Sequence, residues 1–97
     1  QSDIAQVGGV TEWMKIAHMT EAFNLPLAPH AWCLLHLHPA LASPNLMTLE
    51  WLDLEELGIA FWFVDHPTPK DGYIQPDDRP GNNLVIDPHA VEKFRVD

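Results

Sequence analysis

Three residues able to carry chemistry, Asp3, His30 and Glu50, punctuate a strand–helix–strand–helix–strand pattern, each at or just past the end of an expected strand. Asp3 to His30 is 27 residues and His30 to Glu50 is 20, each enough for one helix and its two connections. Alternation of this kind favours parallel strands joined by right-handed crossovers. Where such units close into a barrel, the ends of neighbouring strands converge on one mouth. The spacing therefore allows the three polar groups to meet.

The expected elements follow from local pattern. Ser2 to Val7 alternates weakly and is broken by Gly8 and Gly9, as at a strand end followed by a turn. Trp13, Ile16, Ala17, Thr20 and Phe23 then fall at helical spacing, with Thr11 as a cap and Asn24, before Leu25 and Pro26, as a stop. Leu25 to Ala28 is a short apolar run bounded by Pro29, as in a buried parallel strand that ends just before His30. Trp32 to Ala42 is apolar enough for a second helix, in which Pro39 removes a donor and either kinks the helix or delays its start. Ser43, Pro44 and Asn45 make a turn, and Leu46 to Trp51 reads as a third strand presenting Glu50 near its end.

Beyond Asp53 the character changes. Leu54 to Gly58 is a short acidic connection, Phe61 to Val64 is apolar and aromatic, and Pro67 to Gly81 is rich in proline. Asp87 followed by Pro88 opens a last helix that runs through Ala90 and Val91 to Phe94. The pattern is that of an α/β fold, with alternating strands and helices expected over residues 1–58 and an irregular tail over residues 59–97.

The chain has 97 residues and room for one small core, and its first residues already read as a strand nearing its turn, so it is expected to be a piece of something longer. Its 14 acidic and 5 basic residues give a formal charge of −9, which repels phosphate backbones and anionic lipid and argues against a nucleic-acid or membrane partner. Ala22 to Leu49 lacks any Asp, Glu, Lys or Arg, but its four prolines, three histidines and two asparagines do not suit a membrane helix. The lone Cys33 cannot form an internal disulfide and fits a reducing, cytoplasmic compartment.

Taken with its context, the pattern becomes specific. Ser2-Asp3, Val7-Gly8-Gly9-Val10-Thr11-Glu12, Ala28-Pro29-His30 and Leu49-Glu50 together resemble the last three barrel strands of the enolase superfamily, in its mandelate racemase and sugar-acid dehydratase branch. Asp71-Gly72-Tyr73, Arg79-Pro80-Gly81 and Ile86-Asp87 through Phe94-Arg95-Val96 resemble the closing segment of that family, although Gly81-Asn82-Asn83-Leu84 stands where the family commonly has an apolar, glycine-containing run. The resemblance implies the carboxyl-terminal part of a TIM-like (β/α) barrel, with a tail that returns towards a capping domain.

It also implies chemistry. Asp3 would orient His30, and Glu50 would hydrogen-bond the substrate carboxylate as it becomes an enediolate. The enzyme would use Mg2+ to remove the proton next to a carboxylate, most readily in dehydrating a sugar acid, with hydroxy-acid racemisation or epimerisation as runner-up. The magnesium ligands and a lysine base would lie on earlier strands, so no metal ligand is expected in this chain, which alone would be inactive. Its expected partners are a small carboxylate substrate, the amino-terminal portion of the same enzyme and further copies in a homo-oligomer. The competing non-catalytic reading is a self-associating remnant.

Residue types suit that chemistry. Forming a dianion next to a carboxylate needs a group of near-neutral pKa for the proton and strong stabilisation of the new charge. Histidine meets the first need, and an aspartate on its other nitrogen fixes the tautomer. Glu50 would have to donate a hydrogen bond, hence to carry or share a proton. Trp32, two residues after His30, could line a substrate pocket. Gly8-Gly9 is better read as a turn than as a phosphate cradle, and a zinc site from His36, His38 and Cys33 is disfavoured because a two-residue spacing chelates from a strand rather than a helix. Trp13, Trp51 and Trp62 are expected to pack, His18 to lie on a helix surface, and His66 and His89 to be solvated.

Overall fold

The computed structural model describes residues 1–82 and 84–96. Asn83, in the asparagine-rich stretch noted above, lies outside the described residues. The chain divides into two compact units, residues 1–52 and 53–97.

The first unit is built around helix α1, Val10–Ala22. Trp13 and Ala17, one turn apart, are buried, and with Ile4, Leu27 and Ala40 they form the core, flanked by Val7, Met14, Leu35, Leu46 and Leu49. The helix is not capped by Thr11, which lies inside it. Gly9 is the N-cap, and Gly8 and Gly9 have φ of 103° and 97°. That left-handed backbone is cheap only for glycine, and it turns the chain sharply enough for the Gly9 amide to reach the Ile4 carbonyl at 2.9 Å. The stop at Asn24 is as expected. Asn24 has φ 54°, its amide binds the Glu21 carbonyl and the Leu25 amide binds the Thr20 carbonyl, the paired bonds of a Schellman ending.

The strands are shorter than the pattern predicts. Ser2 to Val7 is a turn rather than a strand, because the Asp3 carbonyl accepts from the Gln6 and Val7 amides and curls the segment on itself. Among the described residues its ladder contact is one bond, from the His30 amide to the Ser2 carbonyl at 3.1 Å. Leu27 and Leu46 form a parallel bridge: the Leu27 amide binds the Asn45 carbonyl and the Met47 amide binds the Leu27 carbonyl, at 3.0 and 2.8 Å. Parallel order is therefore retained where the second and third strands were expected. Leu25 and Pro26 are exposed, and burial begins at Leu27.

Helix α2 is Cys33–Leu41. Pro39 does not delay its start. The helix begins at Cys33 and carries the proline within, so the Pro39 position contributes no amide to the ladder. Cys33, Leu34, His36, Leu37 and Ala40 are buried.

In the second unit a short 3₁₀ turn, Ala60–Trp62, leads into strand β1, Phe63–Asp65, which pairs antiparallel with β2, Val85–Ile86. Helix α3, Pro88–Phe94, opens as expected, with the Asp87 carboxylate accepting from the His89 amide at 2.9 Å and Pro88 in the first turn, where no amide is needed. Phe61, Trp62 and Phe94 form a trio with centroids 5.1–5.2 Å apart. The proline-rich stretch is fastened by Arg79, whose guanidinium binds Asp65 at 2.8 Å and also Asp77. Asp71 and Gly72, both at positive φ, form a tight turn closed by mutual bonds between Lys70 and Tyr73. Among the described residues no helix is long and apolar enough to cross a membrane.

Candidate active site

Asp3 is placed by its own neighbours. One carboxylate oxygen, Oδ1, accepts from the Ala5 amide at 2.8 Å, a local loop that leaves Oδ2 turned to His30. The distance from Asp3 Oδ2 to His30 Nδ1 is 3.5 Å. Asp3 is buried and the His30 side chain is half exposed, so the pair presents one sheltered carboxylate and one partly open imidazole. A carboxylate at Nδ1 favours the tautomer with its proton on Nδ1, and Nε2 is left to face solvent or substrate.

Glu50 joins the same locality through the backbone. Its Oε2 accepts from the amide of Ala31, the residue after His30, at 2.6 Å. The three residues singled out by spacing are thus brought together: Asp3 to the His30 ring, and Glu50 to the peptide that follows it. Trp32, two residues after His30, is exposed.

Ala31 and Trp32 have φ of 49° and 36°, consecutive left-handed residues with side chains. Each costs roughly 1–2 kcal/mol relative to right-handed backbone. They fold the chain back directly after His30, so that the Ala31 amide points at Glu50 while the Ala31 and Trp32 carbonyls point towards α2.

Those carbonyls meet His36, whose spacing to His38 and Cys33 disfavours a zinc site and carries no other expectation. Among the described residues no group of three or more His, Cys, Asp or Glu is placed to hold a metal. His36 is fully buried, and Trp13 stands edge-on to its ring at 5.4 Å. Its Nε2 accepts from the Ile4 amide at 2.9 Å, and Nδ1–H donates to the Ala31 and Trp32 carbonyls at 3.0 and 3.2 Å. Burial pushes its pKa below the ordinary histidine value, against the opposing pull of the two carbonyls and Asp3. His36 was missed as a site residue because its spacing to His38 and Cys33 gives no signal for the backbone groups its ring meets. What marked it was position: it falls on the buried face with Cys33, Leu37 and Ala40.

Trp13, expected only to pack, also fastens the site, its indole N–H donating to the Ser2 carbonyl at 3.2 Å beside the His30 amide. The Cys33 thiol is pushed up by burial and is poorly suited to act as a nucleophile. His18 and His89 are exposed, as expected, whereas His66 is half-buried, with Nδ1 against the Pro67 carbonyl.

Comparison with known proteins decides the lineage. The family described as enolase C-terminal domain-like matches residues 1–90. The chain belongs to that family. It is 34% identical over 109 residues to a D-galactonate dehydratase of Cronobacter sakazakii, covering 94% of this chain and 27% of the relative. It is 31% identical over 96 residues to a 3,6-anhydro-alpha-L-galactonate cycloisomerase of Streptomyces coelicolor, covering 99% of this chain and 26% of the relative.

Among solved structures, the L-talarate dehydratase of a Polaromonas species, complexed with Mg and L-glucarate, superposes with a TM-score of 0.79 at 31% identity, over 99% of this chain and 26% of that one. A Bradyrhizobium enolase complexed with magnesium and mandelic acid gives 0.82 at 26% identity, over 98% and 25%. This enolase-family chain therefore spans about a quarter of the length of the relatives it matches, and its architecture is that of the carboxyl-terminal part of the family barrel.

Proposed function

We propose that this chain supplies the His30–Asp3 dyad and Glu50 to an enzyme that removes the proton next to a carboxylate and expels water from a sugar acid. The observation that carries the reading is the convergence of the three groups: Asp3 Oδ2 on His30 Nδ1, and Glu50 Oε2 on the Ala31 amide. Relatives that act as sugar-acid dehydratases support the substrate class.

Solved relatives hold magnesium, which would stabilise the charge that develops on the substrate carboxylate. The described residues of this chain do not fit a magnesium cage, and on this reading its ligands lie outside the chain. What the chain contributes is proton management. In a 2,3-dihydroxy acid the C2–H bond breaks, its electrons form the C2=C3 bond, and the C3–O bond breaks. The departing hydroxide takes the proton of His30 Nε2 and leaves as water, while the C2 proton goes to a base outside this chain. The resulting enol becomes a 2-keto-3-deoxy acid.

Asp3 keeps the Nδ1 proton in place and balances the imidazolium before it discharges. Glu50, with Oε2 occupied by the Ala31 amide, has Oε1 to carry a proton towards the substrate carboxylate.

The test is to incubate the intact enzyme and magnesium with a panel of sugar acids in D2O. Formation of a keto acid is the expected result. Deuterium entering C2 with no loss of water would instead favour racemisation or epimerisation. Neither exchange nor elimination across sugar acids and hydroxy acids would favour a non-catalytic role.

A further inference from the structure

We infer that His36 is a positioning residue of the dyad, holding Asp3 and His30 in register by joining the backbones that follow them. The inference rests on the dyad reading above. Its ring spans two segments: Nε2 accepts from the amide of Ile4, one residue after Asp3, and Nδ1–H donates to the carbonyls of Ala31 and Trp32, one and two residues after His30.

No other side-chain pattern does this as economically. The bridge needs an acceptor on one edge and a donor on the other, about an imidazole's width apart. Neutral imidazole offers that pair, and its tautomer is fixed by the Ile4 N–H, which requires a bare Nε2. A protonated ring would set its Nε2–H against the Ile4 N–H and leave the Ile4 amide unsatisfied in a buried place. The site excludes alternatives: His36 is fully buried and Trp13 closes one side of the ring.

The same tryptophan binds the Ser2 carbonyl, which also takes the His30 amide, so residues Ser2, Asp3 and Ile4 are pinned at consecutive positions. Only with Ile4 held does the short Asp3–Ala5 loop aim Oδ2 at His30. Likewise the unfavourable left-handed pair Ala31–Trp32 is held by carbonyl bonds to the same ring.

The experiment uses the intact enzyme, with kcat expressed per folded active site. His36→Leu removes both edges. His36→Gln returns an acceptor near the position of Nε2, and His36→Asn returns a donor near that of Nδ1. Expected is a kcat loss of tenfold or more in His36→Leu with KM within about twofold, recovered largely by Gln and poorly by Asn, and no further loss when His36→Leu is added to Asp3→Asn. If His36→Leu does not fold, the Gln and Asn variants alone decide: similar turnover in the two overturns the inference.

An unchanged kcat, a loss carried by KM, or an equal loss in the Asp3→Asn background overturns it too, because each makes His36 a packing group. His30→Asn is the control that separates the two readings. Full activity in His30→Asn removes the dyad and this inference with it, whereas loss in His30→Asn with an unaffected His36→Leu removes only the inference.

Discussion

Glu50 and Ala31 are joined by a hydrogen bond of 2.6 Å, from the backbone amide of one to the carboxylate of the other. The contact couples the third apolar segment to the peptide that follows His30, and it commits one glutamate oxygen to structure while the second is available for a ligand. Replacement of Glu50 should therefore divide by hydrogen-bonding ability. Glu50→Gln keeps an acceptor for Ala31 and an N–H for substrate, and about a tenfold loss of kcat is expected. Glu50→Leu keeps neither and should cost on the order of a hundredfold, the scale of losing one group that stabilises developing charge. Steady-state kinetics on the intact enzyme, with circular dichroism as the folding control, checks both.

His30→Asn should lower turnover by about a hundredfold or more, the scale of losing a general acid or base. Asp3→Asn should also be damaging, since an amide presents either a donor or an acceptor to Nδ1 and no longer balances an imidazolium. Because the two act as a unit, the double variant should be little worse than His30→Asn. Full activity in both single variants would make the pair structural.

Acid should loosen the first unit through His36. Its folded-state pKa is below the unfolded value of about 6.5. Between those two values the unfolded chain holds the extra proton, so unfolding gains from each fall in pH. The stability His36 contributes is fully present above about pH 6.5 and declines as pH drops from there through the folded pKa. Urea midpoints measured from pH 7.5 to 5 should fall in the native protein, and the fall should be smaller in His36→Gln. Equal slopes would show that another group sets the acid limit.

Asn24 tests the ending of α1. Its φ of 54° suits asparagine or glycine, so Asn24→Gly should be neutral or slightly stabilising, whereas Asn24→Val should cost roughly 1–2 kcal/mol. Denaturant melts of the three proteins, under conditions where unfolding is reversible, give the comparison.

What was legible in the sequence was periodic or chemically explicit. Helix α1 could be read because Trp13 and Ala17 repeat at helical spacing and Asn24 marks the exit, and α3 because Asp87-Pro88 is an opening with a mechanism. The convergence of Asp3, His30 and Glu50 could be anticipated because the three lie one helix and its connections apart. The strands were over-extended. A run such as Ser2 to Val7 shows its tendency to be extended but not its partners, and the Asp3 carbonyl found closer ones in Gln6 and Val7. His36 and the Ala31–Trp32 bend were hidden for a related reason. His36 depends on Ile4, 32 residues away, and the bend on Glu50, 19 residues from Ala31, while nothing in the residues flanking Ala31 demands positive φ, as glycine would have done.

That bend has an evolutionary corollary. A chain under selection for stability alone would be expected to place glycine at one of the two left-handed positions, yet alanine and tryptophan occupy them, directly after His30 and beside Glu50. The segment is held in a less favoured conformation by what surrounds it, so its shape is a property of the whole unit rather than of its own residues. Substitutions that relax it would raise melting temperature while letting the amide and carbonyls drift from their targets. In laboratory evolution of the full-length protein for the proposed activity, robustness and turnover should accordingly trade against each other most sharply at positions 31 and 32.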